Sequence, residues 1–236
     1  MLTEELLDYL FEGGSHPLTQ PLTTWLTTSR RFTTFVADFR DKIRKKLRTS
    51  SDPERLLDLQ LELETAYLLL QERSVSLMYE PQLGQTRCPD FAVTFTTRLT
   101  FMVEVTRLHA TTHPHPSAST LSERLAETMC SKLGQLLSHH SNVLLIGLDA
   151  PGPTPDDLHA AIVHVQQRAE QNDARLLQRH AFRKRADFFR GYQRLSELIV
   201  RGAPGPTERP VVWVNPQASH PLPSKVRTAL YHSLST

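Results

Sequence analysis

Apolar residues recur along this chain at two spacings, and the changes between them lay out its elements. Between residues 31 and 48, Phe32, Phe35, Val36, Phe39, Ile43 and Leu47 fall at steps of three and four, which gathers them on one stripe of a helix. Leu2, Leu6, Leu7 and Leu10 predict a shorter helix over 2–12, ended by Gly13-Gly14. Residues 15–29, rich in Thr, Pro and Ser around Trp25 and Leu26, read as a loop or a poorly regular helix. Ser51 or Asp52 can cap the next helix, with Pro53 at its first position. That helix is leucine-rich, runs to about residue 73, and carries Glu62 and Glu64 in its middle.

The spacing then changes to two. Residues 75–79 read as a strand, and 81–88 as a turn-rich connection. Phe91, Val93 and Phe95 alternate with Ala92 and Thr94; a polar break, Thr96-Thr97-Arg98, follows. Leu99, Phe101, Val103 and Val105 then alternate with Thr100, Met102, Glu104 and Thr106. The pattern predicts a β-hairpin. Residues 109–118 form a loop, since Pro114 and Pro116 exclude helix. A helix from Ser119 or Thr120 to about residue 139 buries Leu121, Leu125, Met129, Leu133, Leu136 and Leu137. The apolar run 142–148, NVLLIGL, predicts a central strand covered on both faces. Helices over 156–170 and 173–190, strands over 195–200 and 211–214, and a short closing helix within 221–234 complete the chain.

This order predicts a single α/β domain over residues 53–236, a mixed central sheet flanked by helices, preceded by an N-terminal helical extension over 1–52. No internal repeat is visible.

Composition narrows the class. With 236 residues, 39% hydrophobic and 22% charged, the chain can bury a sizeable core. No apolar run approaches 18 residues, which speaks against a membrane helix. The acidic N-terminus lacks the basic start of a secretory signal. Cys88 and Cys130 make neither a metal spacing nor a disulfide framework, so a cytoplasmic setting is expected. The histidines near residue 113 lack the closed four-ligand spacing that zinc favours. Net charge is only +2, but residues 30–48 hold eight Lys/Arg and residues 175–194 hold seven of the 27. Clusters of this kind are solvated helix faces or hold a phosphate backbone; Arg44, Lys45, Arg183 and Lys184 are the candidate contacts.

The acids carry the chemistry. Glu104 sits inside an apolar strand, where a carboxylate is costly unless a cation or hydrogen bonds satisfy it. Asp90 stands at the mouth of the preceding strand. The plain readings are a turn aspartate after Pro89, an edge-strand glutamate and ordinary surface helix acids. Two carboxylates at one end of a sheet, with a third from a packed helix, would instead make an oxygen site suited to Mg²⁺ or Mn²⁺. Such an ion activates water and neutralises a phosphate oxygen, and a lysine nearby stabilises the developing charge. No GxGxxG, P-loop or GxSxG motif points to a small-molecule enzyme.

Pro89-Asp90, thirteen intervening residues, then Glu104-x-Thr106 resembles the PD-(D/E)XK nuclease superfamily, the restriction-endonuclease-like fold. The surroundings follow that family's order over about residues 53–148: a helix bearing Glu, the hairpin, a helix bearing Lys132 and Gln135, then an apolar strand. The tail VVWVNPQASHPLP resembles the closing strand of some bacterial members. The resemblance implies a metal-dependent nuclease acting on DNA. Asp90 and Glu104 would ligate Mg²⁺ or Mn²⁺, joined by the Val105 carbonyl and a helical acid. Glu62 is favoured for that acid because it shares a helix face with Leu59, Leu63 and Ala66; Glu64 stays open. Gln135 and Lys132 would match polar positions on the following helix. The sequence departs from the family at Thr106, which stands where the motif lysine belongs. Either Lys132 supplies that charge from the next helix, or catalysis is lost and the fold binds nucleic acid or a protein partner. Arg107 is a poorer substitute, because neighbouring strand residues face opposite sides.

Overall fold

The structure, a computed structural model, describes residues 3–50, 52–82, 88–109, 120–203 and 209–235. The histidines at 113 and 115, and much of the connection and loop expected over 81–88 and 109–118, lie outside the described residues, as do Leu2, Ser51 and Ser119.

Four helices lead: α1 (Thr3–Phe11), α2 (Thr19–Thr28), α3 (Arg30–Asp38) and α4 (Arg40–Thr49). Residues 15–29 thus include a regular helix. Leu18, Leu22 and Leu26 bury one side of it, while Thr23 and Thr28 satisfy themselves by donating their hydroxyls to carbonyls four residues back, at 2.8 Å or less. The single helix expected over 31–48 is two helices meeting at Phe39, where φ is −110° and ψ 16°. The Phe39 N–H still donates to Phe35 O and Ile43 N–H to Phe39 O, so the apolar stripe crosses the bend unbroken.

Helix α5 (Pro53–Leu69) starts at Asp52, whose side chain accepts from Glu54 N–H. Strands β1 (Val75–Tyr79), β2 (Phe91–Phe95) and β3 (Leu99–Arg107) follow. Helix α6 (Leu121–Leu133) opens with a capping box, Thr120 and Glu123 satisfying each other's backbone N–H groups. It ends at Leu133, capped by Gly134, six residues short of the expected end. Strand β4 (Asn142–Gly147), helix α7 (Pro155–Glu170), and helices α8 (Ala174–Arg179) and α9 (Arg185–Arg194) come next. Those last two replace the one basic helix expected over 173–190. Strands β5 (Leu195–Arg201) and β6 (Val211–Val214) and helix α10 (Ser224–Leu234) close the chain.

The six strands form one mixed sheet in the order β1-β2-β3-β4-β5-β6. β1–β2 and β2–β3 pair antiparallel, β3–β4 and β4–β5 parallel, and β5–β6 antiparallel. The parallel strands β4 and β5 are buried almost throughout, as crossover helices on both faces require. One core joins α1–α5 and α10 to the first face through Leu63, Phe91, Val103, Val143 and Ile199. Helices α1–α4 share this core, so the N-terminal segment is built into the sheet's packing. A second core joins α6–α9 to the other face through Leu144, Ile146, Leu198 and Val200. Over the hairpin that second face is thinly covered. Ala92, Met102 and Leu137 make a small cluster there, Met78 is 55% exposed, and the Thr94 and Thr100 hydroxyls pair at 3.0 Å.

A carboxylate cluster at the mouth of the hairpin

The β2–β3 register builds this site. Phe91 lies opposite Val103, which sets Asp90, one step further, across from Glu104. Two backbone hydrogen bonds hold Asp90 there. Its carbonyl accepts from Glu80 N–H at 2.8 Å, and its Oδ2 accepts from Val105 N–H at 2.7 Å. Alternation along β3 turns Val103 and Val105 into the first core and Met102 towards the second face with Leu137. Glu104 shares that second face, and there it meets α6. The Lys132 ammonium donates to Glu104 Oε1 at 2.8 Å.

The third acid arrives from the first face. Glu62 on α5 is 8% exposed. Lys46 of α4 donates to both its oxygens, at 2.7 and 3.0 Å, and reaches Glu80 Oε1 at 2.7 Å. The same ammonium lies 4.8 Å from the centre of the Tyr79 ring, a cation–π contact. Glu64 points elsewhere and pairs with Arg201 at 3.3 Å.

The electrostatics show these acids acting on one another. Burial pushes the Asp90 carboxyl well above its ordinary value, and the charges of Glu104 and Glu62 push it further. The Val105 N–H and the Lys46 charge pull the other way. Burial also raises Glu62, against the opposing pull of Lys46. For Lys46 burial favours the neutral amine, but Glu62 and Glu80 outweigh it and the ammonium is held more firmly than usual. Burial, then Glu62, Glu80 and Asp90, drive the Tyr79 phenol far above its ordinary range. The buried Tyr79 hydroxyl lies beside Glu62 without a well-formed hydrogen bond.

Three crowded carboxyls fit a hard divalent cation by donor chemistry: all are oxygens, and their mutual repulsion is what such an ion relieves. Their present placement is different. Glu62 and Glu104 are each neutralised by a lysine, and among the described residues no three His, Cys, Asp or Glu side chains are gathered closely enough to hold a metal.

The remaining residues singled out from the sequence divide sharply. Val105 joins the site through its N–H. Thr106 lies on the Glu104 face and is half-buried. Gln135, expected on the helix after the hairpin, lies beyond it in the turn that follows Leu133, because α6 ends early. Arg107 faces the opposite side, as strand alternation demands. It is 4% exposed and is tied to Glu54, Asp58 and Asp149. Arg44 spends its charge on Glu12 and the Tyr9 ring, while Lys45 is exposed beside it. Arg183 and Lys184 are exposed between α8 and α9.

Lys46, Glu80 and Tyr79 were absent from the sequence reading. One signal could have flagged the lysine: Lys42 and Lys46 stand four apart, each next to a residue of the buried stripe, Ile43 or Leu47. Lys42 donates to Tyr79 O and Glu80 O at 3.0 and 3.1 Å, so this side of α4 clamps the start of the β1–β2 connection.

Neither a family model, nor a curated protein, nor a solved structure matches this chain.

Proposed function

We propose that the chain is a nuclease of the PD-(D/E)XK kind, hydrolysing phosphodiester bonds in DNA with Mg²⁺ or Mn²⁺. One observation carries this reading: the β2–β3 register sets Asp90 across from Glu104 at the mouth of the hairpin, with Glu62 near enough on α5 for its charge to act on Asp90. The element order supports it too, with an acid-bearing helix, an antiparallel hairpin, a lysine-bearing helix and a parallel apolar strand. Asp90, Glu104 and Glu62 are the residues that would hold the ion. When bound, it would activate the attacking water and neutralise a non-bridging phosphate oxygen.

The protein's own groups do the rest. Val105 N–H fixes the Asp90 carboxylate from the side. Lys132 supplies the charge that Thr106 lacks, on the same sheet face and already against Glu104. An ammonium so placed stabilises charge developing on the phosphate. Lys46 holds Glu62 in place from the first face.

In a cleavage assay with Mg²⁺ or Mn²⁺, the wild type cuts DNA, and Asp90→Ala or Glu104→Ala abolishes cutting. Lys132→Ala lowers the rate on the order of 10²-fold or more, the scale of losing one charge-stabilising donor. Equal cleavage by the acid variants contradicts the assignment.

A second reading rests on the lysines. Lys46 and Lys132 already neutralise Glu62 and Glu104, which gives these buried acids a settled state with no ion. On that reading the fold is catalytically degenerate and binds nucleic acid or a protein partner, and the acids take up no Mn²⁺.

A further inference from the structure

A groove lies one residue beyond Lys132. Leu133 and Gly134, at the end of α6, face Phe182, Arg183, Asp187, Arg190, Gly191 and Arg194 across a space of about 340 Å³. The two helices close tightly at its floor: a Cβ on Gly191 would stand 3.2 Å from Leu133 Cβ. Three arginines face one acid, so the groove is positive. Arg190 keeps 63% of its side chain exposed while reaching Asp187 at 3.4 Å. Arg194 is anchored, donating to Leu136 O at 3.3 Å. Arg183 makes no ion pair among the described residues, and Lys184 and Arg185 extend the exposed charge along the rim.

In the other basic cluster most of the cations already have partners. Arg31 is bound by the carbonyls of Leu70, Glu72 and Val75, and Lys42 by those of Tyr79 and Glu80. Arg44 and Arg48 share Glu12, and Lys46 serves Glu62 and Glu80. Cations held in this way have little left to offer a ligand.

We propose that the α6–α9 groove, through Arg183, Arg190 and Arg194, holds the sugar–phosphate backbone of the nucleic acid and leads it to the carboxylates, while the α4 cluster does not bind it. This rests on the nuclease-fold reading and specifies the side from which substrate reaches that site. Charge complementarity argues for phosphate: arginine forks suit it, and only Asp187 opposes it in the groove. Continuity argues for the path. Lys132 touches Glu104, and the next residue on the same helix lines the groove. Arg194 reaches Leu136 O, and the next residue, Leu137, packs on the second face of the hairpin.

Binding of labelled single-stranded and duplex DNA is measured without divalent ions across a salt series. The wild type, Arg183→Ala/Arg190→Ala and Arg44→Ala/Arg48→Ala are compared, with circular dichroism as the check on folding. Each lost phosphate contact removes roughly 0.7–0.9 from the slope of log affinity against log salt. The groove variant is therefore expected to flatten the slope by about 1.5 and weaken binding, whichever form of DNA is bound, and the α4 variant to match the wild type. A wild-type slope in the groove variant, or an equal loss in the α4 variant, overturns the groove and leaves the nuclease reading standing. Wild-type protein that binds neither form overturns both.

Discussion

Helix α4 and the α8–α9 segment look alike in the sequence and differ in what their charge does. Both are short runs crowded with Lys and Arg beside an apolar stripe. In α4 most of the cations are already matched, Lys45 being the exposed exception. Lys46 bridges Glu62 and Glu80, Lys42 caps carbonyls at the end of β1, and Arg44 and Arg48 close on Glu12. On α9 and just before it, Arg190 and Arg183 open to solvent around a groove. A count of positive residues therefore overstates the binding surface. What matters is how many cations the fold has already matched with acids or carbonyls. In α4 the matching serves the carboxylate site, since Lys46 holds one of the three acids.

The largest expected effect breaks that division from the α4 side. Lys46→Ala leaves the buried Glu62 and its neighbour Glu80 without their cation. Breaking a buried ion pair costs about 3 kcal/mol, a loss that urea denaturation detects directly. A cost near zero would place Lys46 with the outward-facing cations and erase the contrast.

Next comes Asp90, which the fold holds against its preference. Its folded value is raised by burial and by Glu104 and Glu62, so the folded chain keeps this proton at pH values where the unfolded chain has released it. Stability then falls as pH climbs from the ordinary aspartate range to the raised value. Glu62 acts in the same direction. Asp90→Asn keeps an acceptor for Val105 N–H and removes the ionisation. It should stabilise the protein above that window by on the order of 1 kcal/mol and flatten the decline with pH, while abolishing cleavage. Denaturation curves at a series of pH values read this out. A variant less stable than wild type at neutral pH would mean that the ionised carboxylate is well satisfied.

The smallest effects sharpen the comparison. Arg44→Ala changes neither DNA binding nor melting temperature by as much as either substitution above, because its partner Glu12 is a solvent-exposed acid. Arg190→Ala also leaves melting nearly unchanged but lowers DNA affinity, seen by fluorescence anisotropy. If the two variants bind alike, the matched and exposed clusters are equivalent.

Much of this arrangement was legible in the sequence. Alternation over 91–105 located the hairpin, and the apolar run 142–148 the central strand. Local signals failed where a boundary was set by packing. The stripe Phe35, Phe39, Ile43, Leu47 keeps its helical spacing straight through the bend at Phe39, and no Gly or Pro marks it. The reverse happened at the end of α6. Gly134 was a readable stop, but Leu136 and Leu137 continue the apolar pattern from the following turn, where they still reach the core. Threonine-rich α2 was obscured because its helix propensity is modest, and three leucines four apart outweigh that. In the site, Asp90 and Glu104 could be paired because a hairpin register follows from alternation. Lys46–Glu62 and Lys46–Glu80 could not, since those partners meet only when α4 packs across α5 and the end of β1.

Whether the carboxylates are a metal site or a lysine-neutralised relic is decided most directly by titrating Mn²⁺ into the wild type and Asp90→Asn in a calorimeter. The account predicts saturable uptake by the wild type that disappears in Asp90→Asn. No uptake by the wild type, or the same uptake by both, would contradict it.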